Sequence, residues 1–261
     1  MVERPDRMPP SRVALCITCL GDALYPEVGE ATVRILRRLG LTVEFPLAQT
    51  CCGQPAFNAG FRQYARVVAS RNLTIFAGYE YVVVPSGSCT AMFRQFYPDL
   101  FANDPVLGEQ AASLAARTYE LSEFLVQVMG VENLGAVFPG KVAYHASCHL
   151  LRELGVTDAP RRLIKQVAGT ELVDLELAEQ CCGFGGTFAI KYPQISDAML
   201  QKKLAGLKRA GANTLVSCDA GCLLHIAGRL QRQGEAIRVM HLAELLAARQ
   251  TAPEGYRASG D

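Results

Sequence analysis

The sequence predicts an α/β protein of two pseudo-symmetric repeats, each a small parallel sheet flanked by helices, with cysteines at the carboxyl ends of the strands. Three observations predict this fold class. A Cys-Cys-Gly tripeptide occurs twice, at residues 51–53 and 181–183. Each copy is flanked by further cysteines at nearly matched distances. Short apolar segments alternate with helical patterns in the same order in both halves, which is typical of parallel sheets.

The repeat pairs the cysteines of the two halves. A shift of 129 residues places Cys148 on Cys19, and a shift of 130 places the second Cys-Cys pair on the first. A third, local match places Cys222 on Cys89. Each half therefore offers four equivalent cysteines, which are Cys19, Cys51, Cys52 and Cys89 in the first half and Cys148, Cys181, Cys182 and Cys222 in the second.

Two further cysteines break this symmetry. Cys16 lies opposite His145, and Cys218 lies opposite Pro85. Because cysteine is often buried as a small apolar side chain, these two rank below the other eight as candidate metal ligands.

The elements of the first half follow in order along the chain. Residues 12–17 form a short apolar strand, and apolar residues at helical spacing predict a helix over residues 26–39. Gly40 then ends this helix as a C-cap glycine. The remaining predicted elements are a strand at 41–45, a helix at about 57–77, a strand at 81–84 and a helix at 107–129 that bridges the halves.

The second half repeats this alternation of strand and helix. Its predicted strands cover residues 141–144, 171–174, 214–217 and 237–240. Its predicted helices cover residues 159–167, 195–210, 222–231 and 241–248. The last strand and helix parallel the end of the first half less closely than the other elements do.

Length and repeat together favour two domains. A chain of 261 residues can hold one large domain or two of about 120 residues, and the internal repeat decides for two. The predicted units are a flexible tail at 1–11, a first domain at 12–130 that includes the bridging helix, a second domain at 131–250 and a flexible tail at 251–261.

Charge and hydropathy exclude several classes of function. The chain has 26 basic and 25 acidic residues without a long run of one sign, so nucleic acid is not expected as a partner. The sequence shows neither a secretory signal core nor an apolar run that could span a membrane, so a cytoplasmic protein is expected. Disulfides are disfavoured in that compartment, so ten cysteines indicate metal or redox chemistry.

The strand order predicts where the cysteines meet. With right-handed crossovers between parallel strands, every strand-to-helix loop lies at the carboxyl edge of the sheet. The first strands are followed by Cys19 and Cys148, and the second strands by the two Cys-Cys pairs. The third strands are followed by Cys89 and Cys222. Four thiols should therefore converge in each half at the edge where open α/β sheets bind ligands.

The spacing of the thiols bears on which metal they bind. Thiolates select zinc, copper(I) or iron–sulfur clusters. Structural zinc sites usually combine two close Cys-x-x-Cys pairs, whereas here two ligands are adjacent and the others lie more than 30 residues away. The pattern favours an iron–sulfur cluster, with a zinc-stabilised scaffold that assembles partners as the non-catalytic alternative. The sequence identifies no catalytic residue.

Two further sets of residues are candidate cofactor-binding groups. Gly183, Gly185 and Gly186 precede a helix, where bare backbone N–H groups can approach negative charge; alternatively, they serve only a tight turn. His145 and His149 flank the first cysteine of the second quartet and could donate a hydrogen bond to a cluster or carry a proton.

Several motifs carry a family resemblance that spans residues 12–250. They are TC at 18–19 with GD at 21–22, CCGQPA at 51–56, GSCT at 87–90, HASC at 145–148, CCGFGGTF at 181–188 and CLL at 222–224. With these motifs the chain resembles the cysteine-rich CCG-domain proteins, and most closely the lactate utilization protein A (LutA/YkgE) family. The domain is also similar to that of the B subunit of heterodisulfide reductase and of the glycolate oxidase iron–sulfur subunit.

The resemblance implies an iron–sulfur electron-transfer subunit of a cytoplasmic complex that oxidises L-lactate to pyruvate, so that lactate serves as a carbon source. Such an oxidoreductase subunit acts only with companion subunits and meets the 2-hydroxy acid indirectly. The implied cofactor is a 4Fe-4S cluster, one or two per chain. The alternatives are a thiol–disulfide reductase subunit like heterodisulfide reductase, or an iron–sulfur subunit for another 2-hydroxy acid such as glycolate.

One departure from the relatives affects the cluster type. The five-cysteine motif of heterodisulfide reductase closes with Cys-x-x-Cys and carries a noncubane 4Fe-4S cluster. Here Met92 stands three residues after Cys89, and Cys218 and Cys222 are separated by three residues. A noncubane cluster, an ordinary four-thiolate cluster in each half and a cluster in only one half are all compatible with the sequence.

Overall fold

In the computed structural model, which describes residues 10–249, each half of the chain forms a four-stranded parallel sheet. The first half (residues 10–130) contains strands β1 (Arg12–Leu15), β2 (Thr42–Glu44), β3 (Val82–Val84) and β4 (Thr118–Glu120). The second half (residues 131–249) contains strands β5 (Val137–His145), β6 (Ala168–Val173), β7 (Thr214–Ser217) and β8 (Arg238–His241). The predicted flexible tails lie outside the described residues, apart from residues 10 and 11.

The two sheets have the same topology. The strand order is β2-β1-β3-β4 in the first sheet and β6-β5-β7-β8 in the second, and all neighbouring strands are parallel. This confirms the predicted α/β class with two pseudo-symmetric repeats. The division into two domains at residue 130 stays a prediction.

Helices flank both sheets. Those of the first half are α1 (Cys19–Leu24), α2 (Pro26–Arg38), α3 (Gln54–Asn58), α4 (Arg62–Ile75), α5 (Gly87–Ala91), α6 (Tyr97–Leu100), α7 (Pro105–Ala116) and α8 (Leu121–Glu123). Those of the second half are α9 (Ala159–Lys165), α10 (Phe188–Lys191), α11 (Pro193–Arg209), α12 (Ala220–Arg232) and α13 (Leu242–Ala247). Turns of π-helix lie at Met92–Phe96, Phe124–Val128 and His149–Glu153. Within residues 10–249, no helix is long and apolar enough to cross a membrane.

Helix α2 shows how local sequence sets the element boundaries. Pro26 occupies the first turn, where its missing N–H costs nothing, and Arg37 and Arg38 lie in the last turn, where cations are favoured. Gly40 has φ +83°, a left-handed conformation that glycine adopts without strain. The prediction of a helix ended by Gly40 is confirmed.

The predicted bridging helix at 107–129 is wrong in its centre. Helix α7 ends at Ala116, and Thr118–Glu120 form strand β4 against β3. The strand has only three residues, Thr-Tyr-Glu, and all three are buried, so it is too short for a period of two to be recognised in the sequence. Similarly, the helix predicted at 57–77 is divided into α3 and α4 around Gly60, which has φ +87°.

The two halves bury one core between them. Phe124 of the first half and Tyr144 of the second belong to the same cluster of buried side chains. Helix α2 packs against α13, and the Arg38 guanidinium donates a hydrogen bond to the carbonyl oxygen of Ala247 (3.5 Å). Separate cores cover the outer faces of the sheets, around Phe93 in the first half and Leu204 in the second. The shared core fixes how the carboxyl edges of the two sheets face each other.

Candidate metal centre

Three loops bring the cysteines of the first half to the carboxyl edge of its sheet. Cys19 begins α1 after β1, the Cys51–Cys52 pair lies between β2 and α3, and Cys89 lies on α5 after β3. The Sγ atoms of Cys19 and Cys51 are 3.5 Å apart. Those of Cys52 and Cys89 are 3.2 Å apart. We call these four residues the first quartet.

The second half repeats the arrangement. Cys148 follows β5, and Cys222 lies in the first turn of α12 after β7. The Sγ distance is 3.9 Å between Cys148 and Cys181 and 3.3 Å between Cys182 and Cys222. These four residues form the second quartet. The predicted convergence of the cysteines at the carboxyl ends of the strands is therefore confirmed, whereas their role as metal ligands stays a prediction.

Both quartets face the same cavity. All eight cysteines line a space of about 770 Å³ between the halves. At the junction, the carboxylate of Asp219 accepts hydrogen bonds from the backbone N–H of Ser88 (2.8 Å) and the hydroxyl of Ser86 (3.2 Å). The N–H of Gly87 donates to the carbonyl oxygen of Cys218 (3.1 Å). The sequence predicted one cysteine edge for each half, but it did not predict that the two edges share one cavity.

One cysteine of each quartet is stabilised as a thiolate. Hydrogen bonds from Cys19, from the adjacent thiol and from the Gly53 N–H hold the pKa of Cys51 well below its usual range. Equivalent hydrogen bonds, led by that from Cys148, do the same to the pKa of Cys181. Since metals bind the thiolate form, each quartet already offers one deprotonated ligand, and metal binding would release the protons of the others.

The glycine-rich loop of the second half takes a left-handed path before α10. Gly183 has φ +90°, and a Cβ atom there would lie 2.7 Å from the carbonyl oxygen of Ser196. Gly185 and Gly186 have φ +51° and +62° and line the cavity. The Gly183 N–H points at the sulfur of Cys181 (3.4 Å). Donation by the glycine N–H groups to a cofactor stays a prediction.

His145 lies fully buried at the end of β5. Its Nδ1 is 3.3 Å from the carbonyl oxygen of Ala178, which can only accept, so Nδ1 carries the ring proton. Its Nε2 has no hydrogen-bond partner among residues 10–249. A ring nitrogen of His145 and the Sγ atoms of Cys182 and Cys222 all lie within 4.8 Å of one another. Burial lowers the pKa of His145 to about 3, so the imidazole is neutral at pH 7.

A buried lysine near the second quartet was missed by the sequence analysis. Lys203 lies on α11 with no exposed surface, and its ammonium donates to the carbonyl oxygens of Leu177 (2.7 Å) and Ala178 (3.2 Å). Burial lowers the pKa of Lys203 to about 8, which leaves it charged at pH 7. The signal was present in the sequence, because Lys203 lies between Leu200 and Leu204 on the apolar face of the predicted helix.

The remaining candidates occupy different surroundings. His149 lines the cavity with its Nδ1 3.7 Å from the Cys148 sulfur. Cys16 is buried beside the first quartet, and burial raises the pKa of its thiol. Cys218 is buried in the core shared by the halves, with its sulfur 3.7 Å from the Tyr144 hydroxyl. Its pKa is also raised by burial. Cys16 therefore lies close to a candidate site, and Cys218 belongs to the packing between the halves.

The two cysteine-rich halves match one family model twice. The model, described as a cysteine-rich domain and named CCG, covers residues 13–94 and 142–227. The chain belongs to the CCG cysteine-rich domain family. Its curated relatives include Lactate utilization protein A of Geobacillus kaustophilus, which is 52% identical over 91% of this chain and 99% of the relative. The protein of the same name from Geobacillus thermodenitrificans is 50% identical over 90% of this chain and 98% of the relative.

A solved structure supports the fold of this CCG-domain chain. A hypothetical protein from Helicobacter pylori matches 94% of the chain with a TM-score of 0.64 and 11% sequence identity. The chain spans half the length of that protein. At this identity the likeness concerns the fold alone.

The donor set of the CCG-domain halves suits a thiolate-bound metal group. The sulfur–sulfur distances of 3.2 to 3.9 Å exceed the roughly 2.05 Å of a disulfide, and none of the ten cysteines forms a disulfide. Backbone N–H groups point at one sulfur of each quartet, as they do around iron–sulfur clusters. The clustered thiols of a CCG domain therefore suggest iron–sulfur binding.

Proposed function

We propose that this chain is an iron–sulfur electron-transfer subunit of a complex that oxidises L-lactate to pyruvate. The observation that carries the proposal is the pair of thiol quartets on one cavity, in a chain about half identical to proteins named Lactate utilization protein A. Two cofactor sites separated only by a cavity suit the passage of electrons within one subunit. The alternative is that the chain is the iron–sulfur subunit of a complex that oxidises another 2-hydroxy acid, such as glycolate.

The proposed cofactor is one 4Fe-4S cluster for each quartet. When bound, such a cluster supplies reversible one-electron chemistry. The first site would be held by Cys19, Cys51, Cys52 and Cys89, and the second by Cys148, Cys181, Cys182 and Cys222. Conversion of lactate to pyruvate releases two electrons and two protons, so two one-electron sites on one chain match the electron count.

The oxidation of the alcohol itself is assigned to a companion subunit. The sequence has no Gly-x-Gly-x-x-Gly after a strand, so it offers no fingerprint of a flavin or nicotinamide cofactor. The protein would then act in the cytoplasm with companion subunits, and lactate would reach the clusters only as electrons. Ten free cysteines fit a reducing compartment.

Anaerobic purification tests the proposal. The tagged chain, isolated from its own host, should be brown, absorb near about 400 nm and contain iron and acid-labile sulfide in equal amounts. The proteins that co-purify should reduce it on addition of L-lactate, with release of pyruvate. Colourless protein that contains zinc without iron or sulfide would contradict the proposal and favour the scaffold alternative.

A second candidate function is reduction of a disulfide substrate. The cavity between two sets of thiols favours it, because an extended disulfide could reach both sites at once. The same preparation decides between the functions. Turnover of a disulfide with a dithiol product in the absence of lactate would support the second function, and lactate-dependent bleaching without such turnover would reject it.

A further inference from the structure

We propose that His145 is a direct nitrogen ligand of the group held by the second quartet, which makes the two sites of the chain chemically unequal. The inference rests on the proposed function because it takes the bound group to contain iron. It concerns a residue that supplies no sulfur and that the thiol count alone does not assign.

The hydrogen bonds of His145 point to ligation. Histidines that bind metals commonly donate their other ring N–H to a backbone carbonyl, and Nδ1 of His145 makes this contact with Ala178. Nε2 then holds the free lone pair. A buried nitrogen without a hydrogen-bond partner destabilises the fold, and Nε2 has no partner in the described part of the chain. Because one ring nitrogen of His145 and the sulfurs of Cys182 and Cys222 all lie within 4.8 Å of one another, a metal bound to these sulfurs would supply that partner.

Lys203 positions the carbonyl oxygen that holds the imidazole in this tautomer. Its ammonium donates to the same carbonyl oxygen of Ala178 that accepts the Nδ1 proton of His145. The shared oxygen fixes the orientation of the ring. The nearby positive charge also opposes a second proton on the imidazole. We therefore regard Lys203 as a positioning residue for His145.

The first half lacks both of these groups at the equivalent places. Cys16 stands where the second half has His145 and is buried beside Cys52 and Cys89. Asn72 stands where the second half has Lys203, since each is the eleventh residue of its helix. The Asn72 amide donates to the Cys51 carbonyl oxygen (3.0 Å) without adding charge. The first site is therefore surrounded by sulfur and neutral amide, and the second by imidazole and a buried cation.

The difference sets a direction for electrons. Histidine in place of a thiolate raises the reduction potential of an iron–sulfur centre, and the second half has His145 where the first half has Cys16. A buried cation also favours the reduced form, because that form is more negative. The second site should therefore have the higher potential. Its reduction by one electron would accompany the oxidation of the first site by one electron.

Nitrogen hyperfine coupling tests the inference on the intact protein. The chain is labelled with ¹⁵N-histidine, purified anaerobically with its cofactor and reduced with dithionite for pulsed EPR. We expect a directly coupled histidine nitrogen in one of the two cluster signals. Iron and sulfide in both halves without such a coupling would overturn the inference and leave the proposed function intact. Protein without iron would overturn both, so the two failures are distinguishable by metal content.

The variant His145→Cys copies the residue that the first half uses. It should keep most of the iron, lose the histidine coupling completely and lower the potential of the second site. The matched control is His149→Gln, since His149 lies beside Cys148 but is exposed to the cavity. It should keep the coupling. If His145→Cys does not fold, the labelled parent protein still decides the question.

Discussion

The two halves of the molecule have the same scaffold, and each has its own quartet of thiols, but they place different groups around these quartets. Both sheets have the same strand order, and both quartets lie at the carboxyl edge. In the first half, neutral groups fix the Cys-Cys loop: the Tyr97 hydroxyl donates to the Cys52 carbonyl oxygen (2.8 Å), and Asn72 donates to the Cys51 carbonyl oxygen. In the second half, Lys203 fixes the preceding turn through Leu177.

This difference shows that the repeat sets the position of the sulfur atoms, while its departures set their electrostatic surroundings. The positions of the thiols follow from strand order, which the two halves share. The charge near each quartet follows from single residues on the covering helices, which differ. Pairs of equivalent positions are therefore the most informative targets for mutation.

The largest expected effect comes from the cysteines themselves. Cys182→Ser and Cys52→Ser should each remove about half of the bound iron, since the proposed function gives each quartet its own cluster. Cys218→Ser, the control, should keep nearly all of it, because Cys218 packs in the core between the halves. Iron and sulfide are measured for each chain after anaerobic purification. Equal losses from all three variants would show that Cys218 is a ligand and that the symmetry argument is wrong.

Alanine substitutions at the glycines that follow the two Cys-Cys pairs distinguish the cost of backbone strain from the cost of a steric clash. Gly53 and Gly183 have φ +86° and +90°, so alanine at either position costs about 1 kcal/mol. A Cβ atom at Gly53 would lie 3.4 Å from the Ala65 carbonyl oxygen, whereas at Gly183 it would lie 2.7 Å from that of Ser196. We expect Gly183→Ala to lose about 3 kcal/mol in total and Gly53→Ala about 1 kcal/mol, by urea unfolding. Equal losses of stability in the two variants would mean that the backbone around Gly183 shifts and relieves the clash with the Ser196 carbonyl oxygen.

A third pair of equivalent positions gives opposite responses to pH. Glu120 and His241 each end the fourth strand of their sheet and cap the following helix, and both are fully buried. Glu120 accepts from the N–H of Ser122 (2.7 Å), and His241 accepts from that of Ala243 (3.0 Å). Burial raises the pKa of Glu120 to about 7 and lowers the pKa of His241 to about 4. Both side chains are therefore neutral in the folded protein over much of the acid range.

The signs of the two contributions differ. The folded pKa of Glu120 is above its usual 4.5, so its stabilisation is lost as the pH rises from 4.5 to about 7. The folded pKa of His241 is below its usual 6.5, so its stabilisation grows as the pH rises from about 4 to 6.5. Each pKa difference corresponds to about 3 kcal/mol. The two contributions therefore offset each other over most of this range.

Substitution of either residue should reveal the pH dependence of stability that the other one causes. The stability of Glu120→Gln relative to the parent should rise by about 3 kcal/mol between about pH 4.5 and 7, because glutamine keeps the cap and does not ionise. His241→Asn should show the opposite trend between about pH 4 and 6.5. Urea unfolding of the metal-free protein over this range measures both. A difference from the parent that does not change with pH would show that Glu120 is ionised in the folded state.

The sequence predicted the parts of the site that depend on topology. Because strand-to-helix loops of parallel sheets lie at one edge, cysteines more than 30 residues apart could be placed together without coordinates. The helix that ends before Gly40 was predicted for a local reason, since glycine adopts the left-handed conformation without strain. Information of this kind is contained in short segments or in their order.

The features that were missed depend on packing between the halves. The shared cavity lies between halves that also pack through α2 and α13, a contact between residues about 200 positions apart that no local pattern encodes. Strand β4 was missed because three residues are too few to give a recognisable period of two. Lys203 could have been found as a charged residue on an apolar helix face, but its carbonyl partners become apparent only when the turn at Leu177 is placed beside it.

That turn allows the smallest test of the comparison between the halves. Leu177 has φ +58°, a left-handed conformation that costs a non-glycine residue about 1–2 kcal/mol. Its equivalent in the first half, Leu47, is exposed and has no positive φ. Leu177→Gly should therefore raise the free energy of unfolding by about 0.5–1 kcal/mol, after the larger entropy of the unfolded glycine chain is subtracted. Leu47→Gly should lower it by about 0.5 kcal/mol. If Leu177→Gly is instead destabilising, packing of the leucine side chain outweighs the backbone strain. Lys203 would then not hold this turn in a conformation that favours glycine.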